Sequence, residues 1–205
     1  MDLTDAIRTC VAAVVAMSAM TAANGAERAI DKQVVVAAPI ETVWQTWTSR
    51  DGIRTFFAPD AEIDARVGGA FHIHMDPLAE PGMKGADDMR FMALQPPTML
   101  SFDWNAPPSQ PESRKQRTFV IVRLADVDGR STRVTLHHTG WGEGGEWDKT
   151  FAYFDRAWGV VLGKLQASFV TGPVDWSEWM AQLRQAHAAP PEPASPPSPG
   201  ASAPR

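Results

Sequence analysis

Two histidines set two residues apart offer the first candidate chemistry in this sequence. In the segment VGGAFHIHMDPLAE, His72 and His74 are followed by Asp76 and Glu80. Imidazole nitrogens and carboxylate oxygens are common ligands of zinc and other transition metals. Residues i and i+2 of a β-strand lie on the same face, so a strand here would hold both imidazoles side by side.

The opposite face of the same strand is apolar, with Phe71, Ile73 and Met75. Each of these side chains would lose roughly 1.5–3 kcal/mol if left in water, so we expect that face to pack into the core. A His-x-His strand with a later Glu resembles one metal motif of the cupin barrels. Here, however, five residues separate His74 from Glu80, and no later His lies in a Pro-x-Gly turn. The pattern favours a solvated strand over a metal site, and we predict no metal and no other cofactor.

Residues 1–25 have the pattern of a secretory signal peptide. An apolar run and then small residues extend over residues 10–26, and Ala23-x-Gly25 permits cleavage before Ala26. The run is shorter than the ~20 apolar residues of a membrane anchor. Because acidic residues outweigh the basic one before it, an unusual N-terminal helix or a misassigned start remains the alternative. We predict a periplasmic or secreted protein with no membrane span after leader cleavage.

The cysteine content and the net charge argue against disulfide bonds and against nucleic-acid binding. The single cysteine, Cys10, lies in the leader, so the mature chain cannot form disulfides and must depend on its core for stability. The formal net charge is −5, and it becomes −4 without the leader, which carries −1. Mild acidity without a basic stripe argues against a nucleic-acid partner.

The last residues, 188–205, hold seven of the seventeen prolines and almost nothing apolar. Such a composition cannot build a core, so we predict a disordered, solvated tail, with a spacer or docking segment as the alternative. Just before it, residues 173–187 place Trp176, Trp179, Met180 and Leu183 at helical spacing and indicate a further helix.

Between these ends, residues 26–172 read as one α+β unit. KQVVVAA is a first strand, and PIETVWQTWTS is a helix that Asp51-Gly52 breaks before a second short helix or turn, IRTFF. Period-two segments then predict antiparallel strands, with a hairpin loop from Pro81 to Asp88 and a polar loop NAPPSQPESRKQR. The last element is a long helix from Trp147 with an apolar stripe to Phe169. Helices on one side of an antiparallel sheet define an α+β layer fold, and a cavity between the two layers commonly binds small molecules.

Several motifs, in this order, resemble those of the SRPBCC (START-like, helix-grip) proteins, in the branch related to activators of the heat-shock-protein ATPase. They are the Ala-Pro-x-x-x-Val-Trp helix start, the Gly-Gly-x-Phe strand, QPPTMLSFDW, TRVTLHHTGW and AWGVVLGKL, over Lys32 to about Phe169. The resemblance implies a helix-grip fold, in which a curved antiparallel sheet grips the C-terminal helix, with two short helices after the first strand. It also implies a hydrophobic cavity for apolar ligands, and no catalytic set carries over. The chaperone-activating role that the branch name implies conflicts with the predicted export.

If the cavity lies between sheet and helix, apolar residues on alternate strand positions should form its wall, although most will be plain core. The candidates on the strands are Phe71, Ile73, Phe91, Leu100, Phe102, Trp104, Val120, Val122, Val134 and Leu136. Trp141 of the following loop and Trp158 and Leu162 of the long helix are further candidates.

Among polar residues, His138 shares a face with Val134 and Leu136. A core histidine satisfied by a backbone carbonyl is the plainer interpretation, and a neutral imidazole contacting ligand is the other. The loop GWGEGGEW, with Trp141 and Trp147, fits either packing or a mobile lid.

The leading hypothesis is a binding module for an apolar or amphipathic small molecule. The first rival is a cyclase- or hydrolase-like enzyme that uses His138 with Glu143 or Glu146. The second is a protein-interaction module, through the tail or, without export, as a co-chaperone.

Overall fold

A curved antiparallel sheet and one long helix form most of the protein. The computed structural model describes residues 28–189, so the predicted leader and most of the predicted tail lie outside the described residues. The elements, in chain order, are β1 (Ile30–Val36), α1 (Ile40–Thr48), α2 (Arg50–Arg54), β2 (Asp60–Ile63), β3 (Phe71–His74), β4 (Gly85–Ala86), β5 (Phe91–Gln95), β6 (Met99–Trp104), α3 (Pro111–Arg114), β7 (Thr118–Asp126), β8 (Thr132–Thr139), α4 (Glu146–Thr171) and α5 (Ser177–Ala188). The predicted α+β fold class, with two short helices after the first strand, is confirmed.

The strands form two sheets that meet at one edge. The larger has the order β1-β8-β7-β6-β5 and the smaller the order β2-β3-β4, with antiparallel pairing throughout. A bridge between Ala70 and Arg90 joins them. Phe71 N also donates to Met89 O at 2.8 Å, beside that bridge. The two sheets therefore make one continuous concave surface.

Helix α4 lies in that concave surface, as the predicted helix-grip fold requires. Its buried residues recur at three- and four-residue steps, which keeps them on one face: Trp147, Thr150, Phe154, Trp158, Val161, Leu162 and Leu165. Polar contacts fix the helix against β1, since Lys32 Nζ lies 2.7 Å from Asp155 Oδ1 and Gln166 Nε2 donates to Val35 O at 2.7 Å. The helix is thus anchored along its length to one edge of the sheet.

The boundary between the first two helices differs from the prediction. Asp51 and Gly52 do not break a helix but lie inside α2, and Ser49 makes the break. Ser49 has an extended backbone, and its hydroxyl accepts from Gly52 N at 3.1 Å, so one residue ends α1 and caps α2. A Cβ at Gly52 would collide with the backbone of Thr46, so glycine permits the close approach of the two helices.

Two short elements lie where the sequence predicted only loops. Strand β4 lies inside the loop between Pro81 and Asp88, and helix α3 lies inside the polar loop after β6. Arg114 of α3 connects them, because its guanidinium donates to Gly82 O at 2.8 Å and to Gly85 O at 3.0 Å. It also donates to Ala106 O, and this set of contacts holds two loops together.

Helix α5 packs on the body through polar contacts. Trp176 Nε1 donates to Arg54 O at 2.7 Å, Trp179 Nε1 donates to Met75 O at 2.8 Å, and His187 Nε2 lies 2.8 Å from Asp76 Oδ2. No residue of α5 is fully buried. Over residues 28–189, none of the helices has the length and apolar character that a membrane crossing requires.

Candidate functional site

A pocket of about 90 Å³ lies between α4 and the smaller sheet. Helix α4 contributes Tyr153, Phe154, Ala157, Trp158 and Val161 to its wall. These positions follow helical spacing, so a single stripe of α4 faces the pocket. Tyr153 is 40% exposed, and the pocket therefore reaches the protein surface beside it.

The rest of the wall comes from the turn after α2, from β3, β4 and the end of β6, and from the loop after β6. These residues are Phe57, Ile73, Met75, Gly85, Ala86, Trp104, Asn105 and Pro107. The ring centroids of Trp104 and Trp158 lie 5.5 Å apart, and those of Phe57 and Trp104 lie 5.9 Å apart in a stacked arrangement. The pocket is thus walled mainly by aromatic faces, which suits flat apolar molecules.

Polar groups in the wall are few and uncharged. The polar side chains among the lining residues are Asn105 and Tyr153, together with the indoles of Trp104 and Trp158, and none of the lining side chains carries a charge. The Asn105 amide accepts from Arg114 Nη1 at 3.0 Å when its oxygen is turned toward the guanidinium. The arrangement can hold a neutral molecule and orient it by hydrogen bonds, as small-molecule sites commonly do.

Trp104 has a buried donor without a hydrogen-bond partner in the described part of the chain. Trp47 has another, whereas the indole N–H groups of Trp141, Trp158, Trp176 and Trp179 all donate to protein atoms. An unsatisfied buried donor costs about 1–3 kcal/mol. Of the two unpaired indoles, only Trp104 belongs to the pocket wall.

His138 lies behind this wall and does not line the pocket. It is fully buried on the inward face of β8, with Val134 and Leu136. Its Nδ1 accepts from Trp158 Nε1 at 2.8 Å, and its Nε2 lies 2.7 Å from Thr118 Oγ1. Because the indole can only donate, the imidazole proton belongs on Nε2. Side chains, and not the expected backbone carbonyl, therefore satisfy this histidine.

Burial keeps the His138 ring neutral. Desolvation, together with the nearby His137, lowers the pKa of His138 to about 3. Thr118 in turn donates to Trp104 O at 3.3 Å, so one buried chain runs from Trp158 through His138 and Thr118 to the strand that carries Trp104. We assign His138 a positioning role, since it fixes the Trp158 ring that faces the pocket.

Most of the predicted cavity wall is packed core. Of the candidates, Ile73, Trp104 and Trp158 line the pocket, whereas the following are buried elsewhere in the core: Phe71, Phe91, Leu100, Phe102, Val120, Val122, Val134, Leu136 and Leu162. The physical reason is ring packing. The Phe71 and Phe102 rings stack with centroids 4.0 Å apart, and the Phe91 ring lies 4.9 Å from Phe71, which fills the concave space there.

The loop between β8 and α4 is held by packing. Trp141 Nε1 donates to His138 O at 2.9 Å, and its ring lies 4.1 Å from the His138 ring and 5.2 Å from Phe151. Trp141 does not line the pocket, although it covers His138 from the side of this loop. Trp147 is buried and lies edge-on to Trp141 at 6.4 Å.

Neither Glu143 nor Glu146, the two loop carboxylates of the enzyme hypothesis, contacts His138. Glu146 Oε2 accepts from Ser113 N at 2.7 Å and from Ser113 Oγ at 2.9 Å, and the Ser113 backbone bond lowers the pKa of Glu146. Glu143 is exposed in its loop. His138 uses both ring nitrogens within the core, so the predicted pairing of His138 with either carboxylate is not formed.

The two histidines of β3 are only partly exposed, at 17% and 15% of their side chains. His72 Nδ1 lies 3.2 Å from Glu62 Oε2, and His74 Nδ1 lies 3.9 Å from Asp60 Oδ2. Desolvation lowers the pKa of His74. No group of three or more metal-ligating side chains comes together within residues 28–189.

Ten residues of the wall were not among the predicted candidates. Three of them, Met75, Phe154 and Val161, lie in apolar patterns that the sequence shows. The other seven had no clear signal in the sequence: Phe57, Gly85, Ala86, Asn105, Pro107, Tyr153 and Ala157. Five of these lie in segments without regular periodicity, and the two on α4 lie beside the apolar stripe and not within it.

Several solved structures of other proteins have a fold similar to that of this chain. Protein MLL2253 from Mesorhizobium loti has a similar structure, with a TM-score of 0.55 and 19% identity over 68% of this chain and 95% of its own. The Aha1 dimer protein from Colwellia psychrerythraea gives a TM-score of 0.55 and 20% identity over 71% and 98%. CalU16 from Micromonospora echinospora gives 0.52 and 23% over 78% and 83%. These similarities show the fold.

A search of curated proteins gives no match to this chain. The family model described as "Activator of Hsp90 ATPase homolog 1-like protein" matches residues 37–169, which run from the end of β1 nearly to the end of α4 and include the pocket. The chain therefore belongs to the Activator of Hsp90 ATPase homolog 1-like family, within the helix-grip fold.

Proposed function

We propose that this chain is an exported binding protein for a hydrophobic or amphipathic small molecule. The observation that carries the proposal is the pocket between α4 and the smaller sheet, which is walled by aromatic rings, lacks charged side chains and opens beside Tyr153. Binding there would rest on burial of apolar area, at about 25 cal/mol per Å². A ligand that loses roughly 200 Å² of apolar surface would gain about 5 kcal/mol before the costs of association.

Native mass spectrometry of the mature protein, purified from its own compartment, tests this function. We expect a retained apolar molecule at a ratio near one to one, which denaturation would release for identification. A protein that is folded, fully recovered and empty, and that takes up no apolar compound added afterwards, would contradict the proposal.

A matched pair of variants tests whether a retained molecule binds in this pocket. Ala157 is half-buried in the wall, and Ala152 lies exposed on the same helix away from it. Ala157→Phe should fill the pocket and abolish retention of the molecule, whereas Ala152→Phe should leave it unchanged. Equal retention by both variants would place the ligand elsewhere.

Export is the second part of the proposal, and residues 10–26 support it by their sequence pattern alone. Cell fractionation with intact-mass measurement should find a mature chain that begins at Ala26 in the periplasm or medium. Uncut protein in the cytosol would contradict export, and it would favour the family's chaperone association as the function to test next, by co-purification.

A further inference from the structure

A groove on the surface separates α5 from the body of the protein, and it shares no lining residue with the aromatic pocket. Its wall is formed by Arg54, Pro59, Asp60, Pro77, Trp176, Ser177, Met180 and Arg184. The last four lie on one stripe of α5 and its N-cap, since they recur at helical spacing. Pro77, Trp176 and Met180 are half-buried, so part of each apolar residue remains accessible from outside.

The Trp176 ring is held in one orientation. Its Nε1 donates to Arg54 O at 2.7 Å, and Lys164 Nζ lies 4.6 Å from the ring centroid. Grooves lined by aromatic side chains bind proline-rich segments, because the polyproline helix is already extended and loses little conformational entropy on binding. A fixed indole beside a proline and a methionine therefore suits such a segment.

Arg184 gives the groove an unmatched positive charge. It is exposed, and it takes no part in the ion pairs that form within the described part of the chain. The other charged groups of the wall have partners. Asp60 Oδ1 lies 2.7 Å from Arg50 Nη2, and Arg54 Nη1 lies 3.7 Å from a carboxylate oxygen of Asp51. An occupant with a single carboxylate near Arg184 would complement this charge.

The chain itself continues from α5 with a sequence of this kind. Residues 190–204 contain seven prolines, and Glu192 is their only charged residue. Ala189, which ends α5, has φ −68° and ψ 135°, the backbone conformation of polyproline. The composition and the charge of the residues that follow α5 thus match the groove beside it.

The lengths also match. At 1.5 Å per residue, Arg184, Met180 and Trp176 lie about 8, 14 and 20 Å back from the end of α5 along the helix axis. A polyproline segment rises about 3.1 Å per residue, so after two residues that reverse the chain, residues 196–199 span about 15–25 Å from the same end. They reach the level of Met180 and Trp176, and Glu192 comes within reach of the Arg184 side chain.

We propose that residues 190–199 fold back along α5 and dock in this groove. The prolines at positions 196, 197 and 199 pack against Trp176 and Met180, and Glu192 pairs with Arg184. Because these residues are tethered beside the groove, their effective concentration is on the order of mM, so weak contacts suffice to keep them docked. The docked segment covers an apolar strip of α5 that residues 28–189 leave accessible.

A spin label on the proline-rich segment tests this arrangement. The single cysteine of the chain, Cys10, lies in the predicted leader, so the ¹⁵N-labelled mature protein accepts one nitroxide at Ser198→Cys. The nitroxide broadens the NMR signals of nearby amide protons, and the spectrum after its reduction is the reference. A free segment keeps the label closest to the C-terminal end of α5, whereas a docked segment carries it to the N-terminal end.

We therefore expect the amide signals of Ser177 and Met180 to broaden more than those of Gln185 and Ala186. Stronger broadening at Gln185 and Ala186 would overturn the proposal. The label and the substitution that carries it lie outside the described domain, so the folded body is the same in both outcomes.

Two triple variants of the labelled protein test the role of the prolines. The first loses three proline rings through Pro196→Gly, Pro197→Gly and Pro199→Gly, and the order of broadening should reverse. The second is the matched control, with the same number of glycines, through Ala194→Gly, Ala201→Gly and Ala203→Gly. It should keep the order of the unsubstituted sequence. Equal behaviour of the two variants would mean that the proline rings do not hold the segment in the groove.

Charge reversal tests the position of Glu192. Arg184→Glu and Glu192→Arg should each lower the ratio of docked to free segment about two- to fivefold, as expected for loss of a solvated ion pair. The double variant should restore the ratio, which is measured by the broadening at Ser177 and Met180. A double variant that docks no better than the single ones would overturn the pairing of Glu192 with Arg184.

A mixed sample separates docking within one chain from docking between two copies. It combines ¹⁵N-labelled protein without nitroxide and ¹⁴N protein that carries the nitroxide. We expect no broadening at Ser177 or Met180 in this mixture. Broadening there would assign the groove to the proline-rich segment of a second copy and overturn the fold-back.

Discussion

Replacement of His138 by phenylalanine measures what the buried polar chain behind the pocket contributes. The change keeps a ring of similar size but removes both nitrogens, so Trp158 N–H loses its acceptor and Thr118 its partner. We expect the free energy of unfolding at pH 7 to fall by about 1–3 kcal/mol. Urea denaturation followed by circular dichroism measures this change.

His137→Phe is the matched control, because His137 is the adjacent residue on the outward face of β8 and is 45% exposed. Its ion pair with Asp31 is solvated, and such pairs contribute about 0–1 kcal/mol. A loss in the control as large as that of His138→Phe would mean that the buried hydrogen bonds are not the cause.

The sequence predicts on which face of the sheet His138 lies, but it does not predict the hydrogen-bond partners of this residue. Alternation along β8 is a local property, so it predicts which residues point inward. Thr118 and Trp158 each lie twenty residues away in the chain, and their contact with His138 depends on how β7 and α4 meet in space. The lack of a partner for the Trp104 indole N–H likewise depends on tertiary packing, and residue spacing does not predict it.

At the scale of elements, Arg114→Met should loosen the loop that carries β4. Arg114 is only 16% exposed, and its guanidinium satisfies the carbonyls of Gly82 and Gly85 as well as that of Ala106. Loss of these bonds leaves carbonyls without a partner, and we expect unfolding to become easier by roughly 2 kcal/mol. Hydrogen exchange by mass spectrometry should show faster exchange over residues 82–86.

Lys115→Met controls for the loss of a positive charge in the same short helix. Lys115 is exposed, and within residues 28–189 its ion pair is with Glu112, three residues earlier, so its removal should change stability by less than about 0.5 kcal/mol. If residues 82–86 exchange equally fast in both variants, the clamp by Arg114 is not what holds the loop.

Truncation after Gly172, which removes α5, should leave a folded domain. No residue of α5 is fully buried, and its contacts are mainly the bonds from Trp176, Trp179 and His187. The truncation also removes the bond from Val174 N to Thr55 O, so four bonds are lost. We expect cooperative unfolding with a loss of about 4 kcal/mol, since net hydrogen bonds contribute about 1 kcal/mol each. Thermal denaturation of the truncated and full chains checks this, and a truncated chain without a cooperative transition would show that α5 is part of the core.

The elements that the sequence missed are the shortest ones. Strand β4 has two residues and α3 has four, too few for any periodicity to be visible, and both depend on Arg114 for their position. By contrast, the apolar stripe of α4 extends over 26 residues and identifies that helix without tertiary information. The sequence therefore predicted the elements that are long enough to show a periodic pattern, and it missed those that are too short.

At the scale of the whole molecule, order and spacing of motifs predicted the fold, but the pocket depended on side-chain volumes. From the sequence, we predict that alternating residues of the central strands form the cavity wall. Phe71, Phe91 and Phe102 pack together there and leave no space, so the pocket lies instead toward the smaller sheet and the mouth beside Tyr153. How these rings pack depends on their positions in three dimensions, and the sequence pattern does not specify those positions.

Global stability should fall on acidification through the buried His138. Its pKa is about 3 in the folded protein, because burial opposes the charge, against 6.5 in the unfolded chain. Below pH 6.5 the unfolded chain therefore binds a proton that the folded chain does not, and the free energy of unfolding decreases until the pH reaches about 3. Between pH 7 and pH 5 this linkage should remove about 2 kcal/mol.

Carboxylates also contribute to acid sensitivity, so the difference between two proteins is the informative quantity. Hydrogen bonds lower the pKa of Asp60 and Glu146, although desolvation opposes this and is the largest influence at Asp60, and both groups lose stabilisation as the pH falls. His138→Phe keeps these groups and lacks the imidazole. Urea denaturation at pH 7 and pH 5 should show the unsubstituted protein losing about 2 kcal/mol more than the variant. Equal losses would mean that the folded protein protonates this histidine without penalty, and His138 would then not be the desolvated, neutral group that positions Trp158.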